Sequence, residues 1–321
     1  MGGKSHAEGS KNIALENNSH AEGNETFAAG AHSHAEGNTT AATGSGAHAE
    51  GEKTIASGAH AHAEGFEAVA SGAHAHAEGC KVTSGGYAAH GEGNNTKANG
   101  DNSHAEGENS ISDGKDSHAE GKDTVASGIY SHAEGLNSYS SGHSSHAEGG
   151  WTTASNYYSH AEGNNTLASG DNSHAEGIGS QALGNSSHAE GNTVTASGDY
   201  SHAEGILSVA SGYGTHAEGQ STANNNYTHS EGYGTIASGN YSHVSGTWNI
   251  EDLNNKDSDR GNYAVIVGNG TQAKPSNAYT LDWGGNATFA GDVTFTINGT
   301  QYTLSRLLDR IAFLEEQLRN Q

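Results

Sequence analysis

The stretch SHAEGKDTVASGIYSHAEG, residues 117–135, contains the unit from which most of this chain is built. SHAEG opens at Ser117 and returns at Ser131, with TVASG between them at residues 124–128. Working outward, a histidine recurs every 14 residues from His6 to His216. A step of 13 then brings His229, and a last step of 14 brings His243, which makes eighteen repeats. Counted from each repeat histidine, Gly stands third in all eighteen, Glu second in seventeen and Ala first in fifteen. Ala also holds the eighth position in thirteen of the seventeen complete repeats. Fourteen is therefore two sevens, each read as a five-residue segment plus a two-residue corner.

A five-residue segment of alternating character is a short strand. It puts Ser, Ala and Gly of SHAEG on one face and His and Glu on the other. Thr, Ala and Gly of TVASG fall on the same small face. Two strands whose inward residues are this small pack back to back at close range, and each coil pairs with the next at about 4.7–4.9 Å, so eighteen coils would span roughly 85 Å. Glycine suits the corners because it accepts positive φ. The expected fold is all-β, a parallel β-roll solenoid with 14-residue coils. So thin a ladder buries little apolar area of its own, and an oligomer is expected.

Composition agrees. Of 321 residues only 31% are hydrophobic, 48 are Gly and one is Pro, which argues against a conventional core, while the absence of a triplet period excludes collagen. A formal charge of −24 repels nucleic acid and anionic membrane surfaces, so neither is an expected partner. The single cysteine, Cys80, excludes an intrachain disulfide framework. No apolar run approaches the ~20 residues of a membrane helix, and MGGKSHAEG at the start has no signal-peptide core, so membrane insertion is not expected.

SHAEG followed by TVASG resembles the head repeats of trimeric autotransporter adhesins, over residues 5–246. The resemblance implies a left-handed β-roll and a parallel homotrimer in which the two large residues of the first strand face the axis. Carried over, the axial pairs are His34 and Glu36, His62 and Glu64, His104 and Glu106, His118 and Glu120, His132 and Glu134, His146 and Glu148, His174 and Glu176, and His202 and Glu204. The second strand's outward position is the more apolar one, with Ile55, Val69, Ile111, Val125 and Leu167, and it would take the axis if the His–Glu face turned outward. Residues 262–294, with SNAYTLDWGGNATFAGDV at their heart, are similar to the C-terminal module of tail-fibre proteins from phages and prophages of Gram-positive bacteria.

After that module, Leu304, Leu307, Ile311, Leu314 and Leu318 alternate spacings of three and four, the seam of a two-heptad coiled coil. The domains expected are thus a rod over 1–246, a neck over 247–302 and a coil over 303–321. Three is the chain number that the resemblance implies.

The His and Glu columns have several chemical readings. Catalysis needs one site with its own surroundings, and a pair repeated seventeen times with no accompanying nucleophile does not provide it, so no enzyme is expected. A face that must fit copies of itself explains why this pair stays fixed while the second strand's outward position passes through Lys97, Tyr139, Thr153 and Gln181. A carboxylate neighbour favours charged imidazole and desolvation opposes it. A metal is the alternative: His32 with His34, His60 with His62, and His74 with His76 extend the motif to His-x-His-x-Glu, a ligand set suited to octahedral transition metals, while the plainer reading leaves the extra histidine at a corner, facing water. No other cofactor is expected.

The leading functional expectation is a trimeric structural and receptor-binding fibre of a phage or phage-like particle, located on the virion. It would bind a glycan or protein on a bacterial surface and join other fibre or baseplate proteins. Its attachment domain is expected upstream, because the chain starts inside the first repeat. The second expectation is the head of an adhesin on a bacterial cell surface. Ice binding is a weaker third, because the repeat threonines fall on the small inward face.

Overall fold

The structure, a computed structural model, describes residues 3–253 and 260–319. Of the spans expected above, residues 1–2 of the rod, 254–259 of the neck and 320–321 of the coil lie outside the described residues. The chain divides into two compact units, residues 1–199 and 200–321.

The first unit is a parallel β-solenoid of 14-residue coils. Each rung has a five-residue strand that begins on the repeat histidine, such as His132–Leu136, and a two-residue strand, such as Tyr139–Ser140. Rungs stack in register, His118 beside His132, Ala119 beside Ala133, Glu120 beside Glu134, and on the second side Val125 beside Tyr139. The interior is one residue deep. Ala119, Ala126, Ala133 and Thr124 are wholly buried, and Ser131 nearly so. Where a serine precedes the repeat histidine it can fasten the corner that the chain has just turned: Ser131 Oγ donates to Gly128 O at 2.7 Å, and Ser117 Oγ to Gly114 O at 2.6 Å.

The inward faces match the alternation, with one difference. The glycine of SHAEG is not an interior residue. Gly121 and Gly135 are exposed, at φ +108° and +99°, because the strand is already bending there. A Cβ on Gly135 would lie 2.2 Å from Gly149 O, so the site is closed to any other residue at this rung spacing. The corners themselves carry left-handed residues that are mostly not glycine: Asp116, Asp123, Tyr130 and Asn137 all have φ of 52–57°. They stand two residues before and five residues after each repeat histidine. Asn and Asp tolerate this region, and side-chain ladders tie the corners together. Asn102 Nδ2 donates to Asp116 Oδ1 at 2.9 Å, Asn109 Nδ2 to Asp123 Oδ1 at 2.8 Å, and Lys122 pairs with Glu108 at 3.1 Å.

The second unit begins with the rungs of His202, His216, His229 and His243. In the 13-residue step the corner is lost, and His216–Ala223 runs as one eight-residue strand. The region expected to be a neck starts by continuing the ladder: Tyr263–Asn269 pairs in parallel with His243–Thr247, Val244 beside Ile266. Val244, Ile266 and Ala237 are buried together, with Tyr263 packed against them. Asn277–Asp282 and Ala287–Phe289 then add antiparallel strands. A separate hairpin, Thr294–Ile297 with Thr300–Thr303, leads into a helix over Leu304–Arg319.

Candidate functional site: the histidine and glutamate columns

Because each five-residue strand of the first unit begins on its histidine and these strands stack in register, the imidazoles of that unit form one column and the carboxylates a second beside it. Successive rings from His20 to His188 lie 4.7–4.9 Å apart and nearly parallel, as for His104 on His118 and His118 on His132. Within a rung, Nε2 stands 3.6 Å from the carboxylate at His118 and Glu120, 3.7 Å at His62 and Glu64 and at His104 and Glu106, 3.9 Å at His34 and Glu36, and 4.0 Å at His202 and Glu204. His132 with Glu134, His146 with Glu148 and His174 with Glu176 fall between these limits, at 3.8, 3.6 and 3.8 Å. These separations are too long for hydrogen bonds. The Nε2 atoms of His104, His118, His132 and His146 are enclosed and have no hydrogen-bond partner among the described residues, although the residues as a whole are half-buried.

The balance left open by the sequence falls on the side of desolvation. At His48, His76, His104, His132, His160, His174 and His229 burial, followed by the charge of adjacent imidazoles, lowers the pKa, and the nearby carboxylates do not offset this. The carboxylate column is under strain of its own. Glu134 is pushed up to about 7, first by desolvation and then by hydrogen bonds and charge from Glu120 above and Glu148 below, whereas the hydrogen bond from Glu134 holds Glu120 down. A protonated Glu134 between two carboxylates relieves their repulsion.

The expected His-x-His pairs are split between two columns. His32, His60 and His74 occupy left-handed corners at φ 56–62° and are exposed. His60 stacks on His74 at 5.3 Å, while His62 stacks on His76 at 4.8 Å in the strand column. The closely spaced ligand sets include strand residues of adjacent rungs, such as His20, Glu22 and His34, or His62, Glu64 and His76. Two imidazole nitrogens on one ion, each at ~2.0–2.1 Å, are at most about 4.2 Å apart. Rings stacked at 4.8 Å must therefore move before both can bind one ion.

The seam residues expected in the tail all lie on the helix. Leu304, Leu307, Ile311, Leu314 and Leu318 are exposed, and none of the helix residues is buried. Among the described residues no helix is long and apolar enough to cross a membrane.

The rungs thus form a thin β-solenoid with a repetitive polar face, and part of it has a likeness among known proteins. Residues 105–131, 161–185 and 175–201 match the family model of the YadA head domain repeat. No curated protein matches the chain.

Proposed function

We propose that this chain forms a parallel homotrimeric attachment fibre, with the His and Glu columns of three chains facing one axis and the C-terminal helices joined as a coiled coil. The observation that carries the proposal is the helix. Five seam residues at alternating spacings of three and four, on a 16-residue helix with no buried residue, are left exposed among the described residues of their own chain. The columns point the same way. Half-buried imidazoles and carboxylates repeated at one spacing offer a neighbouring chain a regular polar face, so the interface sets register more than strength. Light scattering tests the assembly: three chains of 32.7 kDa give about 98 kDa, and a monomer mass at micromolar concentration would refute it.

We place the fibre on a phage or phage-like particle, on the likeness of residues 262–294 to tail-fibre modules, with a glycan or protein on a bacterial surface as its receptor and other fibre or baseplate proteins as neighbours. A second reading, the head of a bacterial surface adhesin, is favoured by the family match, which covers the repeats alone. Tail and lysis genes beside this one would support the first, and a gene for a secretion barrel the second. A transition metal held between chains by the strand histidines is a further possibility of the same axis, tested by metal analysis of the purified trimer.

A further inference from the structure

The 13-residue step does more than interrupt the period. In the second unit the left-handed corner after the long strand is filled by Leu207 in the rung of His202, by Gly234 in the rung of His229 and by Trp248 in the rung of His243, at φ 57°, 67° and 39°. The rung of His216 has no such residue. Gln220 is followed directly by Ser221, and the pairing jumps from Gln220 beside Tyr233 to Ser221 beside Thr235, which leaves Gly234 opposite nothing. Two consecutive corners therefore lack a side chain, one by deletion and one by glycine. The gap is a cleft of about 190 Å³, room for about six waters at ~30 Å³ each.

Its walls are specific. Leu207 closes one end and Trp248 the other. A Cβ on Gly234 would lie 2.4–2.6 Å from Cδ2, Cε2 and Cε3 of Trp248, so the benzenoid ring of the indole lies across the glycine and only glycine allows it there. The edge of Tyr233 packs on the indole at 5.7 Å, and Trp248 N donates to Tyr233 O at 3.0 Å, which holds the ring in place. At the floor Ser221 Oγ and Thr235 Oγ1 are already engaged, with Ser230 O at 2.7 Å and Glu231 O at 3.0 Å. The Gln220 amide and the Thr222 hydroxyl, both on half-buried residues, remain to meet a ligand, and no charged side chain lines the cleft.

We propose that this cleft binds one neutral hexopyranose ring of a surface glycan. The proposal rests on the attachment reading and names its receptor chemistry. A pyranose presents an apolar C–H face and a rim of hydroxyls. The indole and Leu207 suit the face, and an amide plus a hydroxyl suit the rim. The uncharged lining, in a chain of net charge −24, argues against an anionic sugar. Thr222 and Ile236, on the second-strand side, line the cleft, so packing through the His and Glu face leaves it open.

The test is titration of the full chain with methyl hexopyranosides of the gluco, galacto and manno series, read by saturation-transfer NMR and indole fluorescence. At least one should bind, with saturation strongest on ring C–H protons. Trp248→Ala, and separately an Asn inserted between Gln220 and Ser221 to restore a 14-residue rung, should each weaken it by about tenfold or more at unchanged oligomer mass. Tyr241→Ala, at a corner outside the cleft, should not. No binding by any of the three sugars, or binding unaffected by both cleft variants, overturns the proposal. So does a Trp248→Ala protein of lower oligomer mass, which would mean that a neighbouring chain fills the cleft. Binding to bacterial cells separates the two levels. Wild-type protein that binds sugar but no cell contradicts the attachment reading, whereas an insertion variant that binds cells undiminished contradicts the cleft as receptor site.

Discussion

Replacing Gly128 with alanine tests whether rung spacing is set by contacts that admit no side chain. Gly128 closes TVASG and is buried at the corner. An added Cβ would stand 1.9 Å from Gly142 O and 2.6 Å from Gly142 C, both backbone atoms of the next rung. Reaching even a tight 3.0 Å contact with the oxygen requires a shift of 3.0 − 1.9 = 1.1 Å. Ser127 N and Gly128 N both donate to Ser140 O, at 2.9 and 3.3 Å, and a shift of that size breaks one or both bonds. At a net ~0.5–1.5 kcal/mol for each bond, and ~1–3 kcal/mol for a buried polar group left unsatisfied, the expected loss is about 3 kcal/mol per chain. Gly150→Ala is the control, because its Cβ would meet only the side-chain amide of Asn164, at 3.3 Å, and it should cost less than ~0.5 kcal/mol. Urea unfolding followed by circular dichroism measures the difference, and hydrogen exchange should locate the weakened amides at the rungs of His118 and His132. Equal stability of the two variants would refute the reasoning.

Three further outcomes follow from the columns and the tail. The lowered histidine pKa values mean that the unfolded chain binds more protons, so the histidine contribution to stability is complete above the unfolded value of about 6.5 and is lost as pH falls below it; melting temperatures measured from pH 8 to pH 5 should decline through that window. Glu134 has the opposite sign, its contribution being lost as pH rises through about 7, so Glu134→Gln should raise the melting temperature at pH 8 and leave it nearly unchanged at pH 5. Leu307→Asn with Ile311→Asn puts amides into the coil seam and should slow refolding or lower the melting temperature while an assembled rod persists; an unchanged refolding rate would mean that the rods register themselves.

The period of 14 and its division into sevens carried nearly the whole rod, because one residue per position repeats under the same constraints in every rung. Small residues mark the interior at Ala133 and Ser131 since nothing larger fits there, and fixed bulk at His132 and Glu134 marks an outward face. The corners were less legible. Glycine at 135 drew attention to positive φ, yet the left-handed residues of the corner are Tyr130 and Asn137, whose identities vary because their side chains point to solvent. Their recurrence every seven residues, often as Asn or Asp, was the available signal. The separation of His60 from His62 was legible from its place at a corner, because the chain bends there and alternation ends with the strand. The missing residue after Gln220 was visible as a step of 13, but its consequence depends on where Trp248 lies two rungs on.

Carbodiimide footprinting of carboxylates on the assembled protein at neutral pH tests the axial placement most directly. Within a single chain Glu78 and Glu92 of the column are as accessible as Glu25 and Glu108 outside it: their side chains are 51% and 48% exposed, against 44% and 48%. If the columns face the axis of a trimer, Glu78 and Glu92 should be protected while Glu25 and Glu108 are modified. Comparable modification of all four in a protein of trimer mass would place the His and Glu face in solvent and contradict the account.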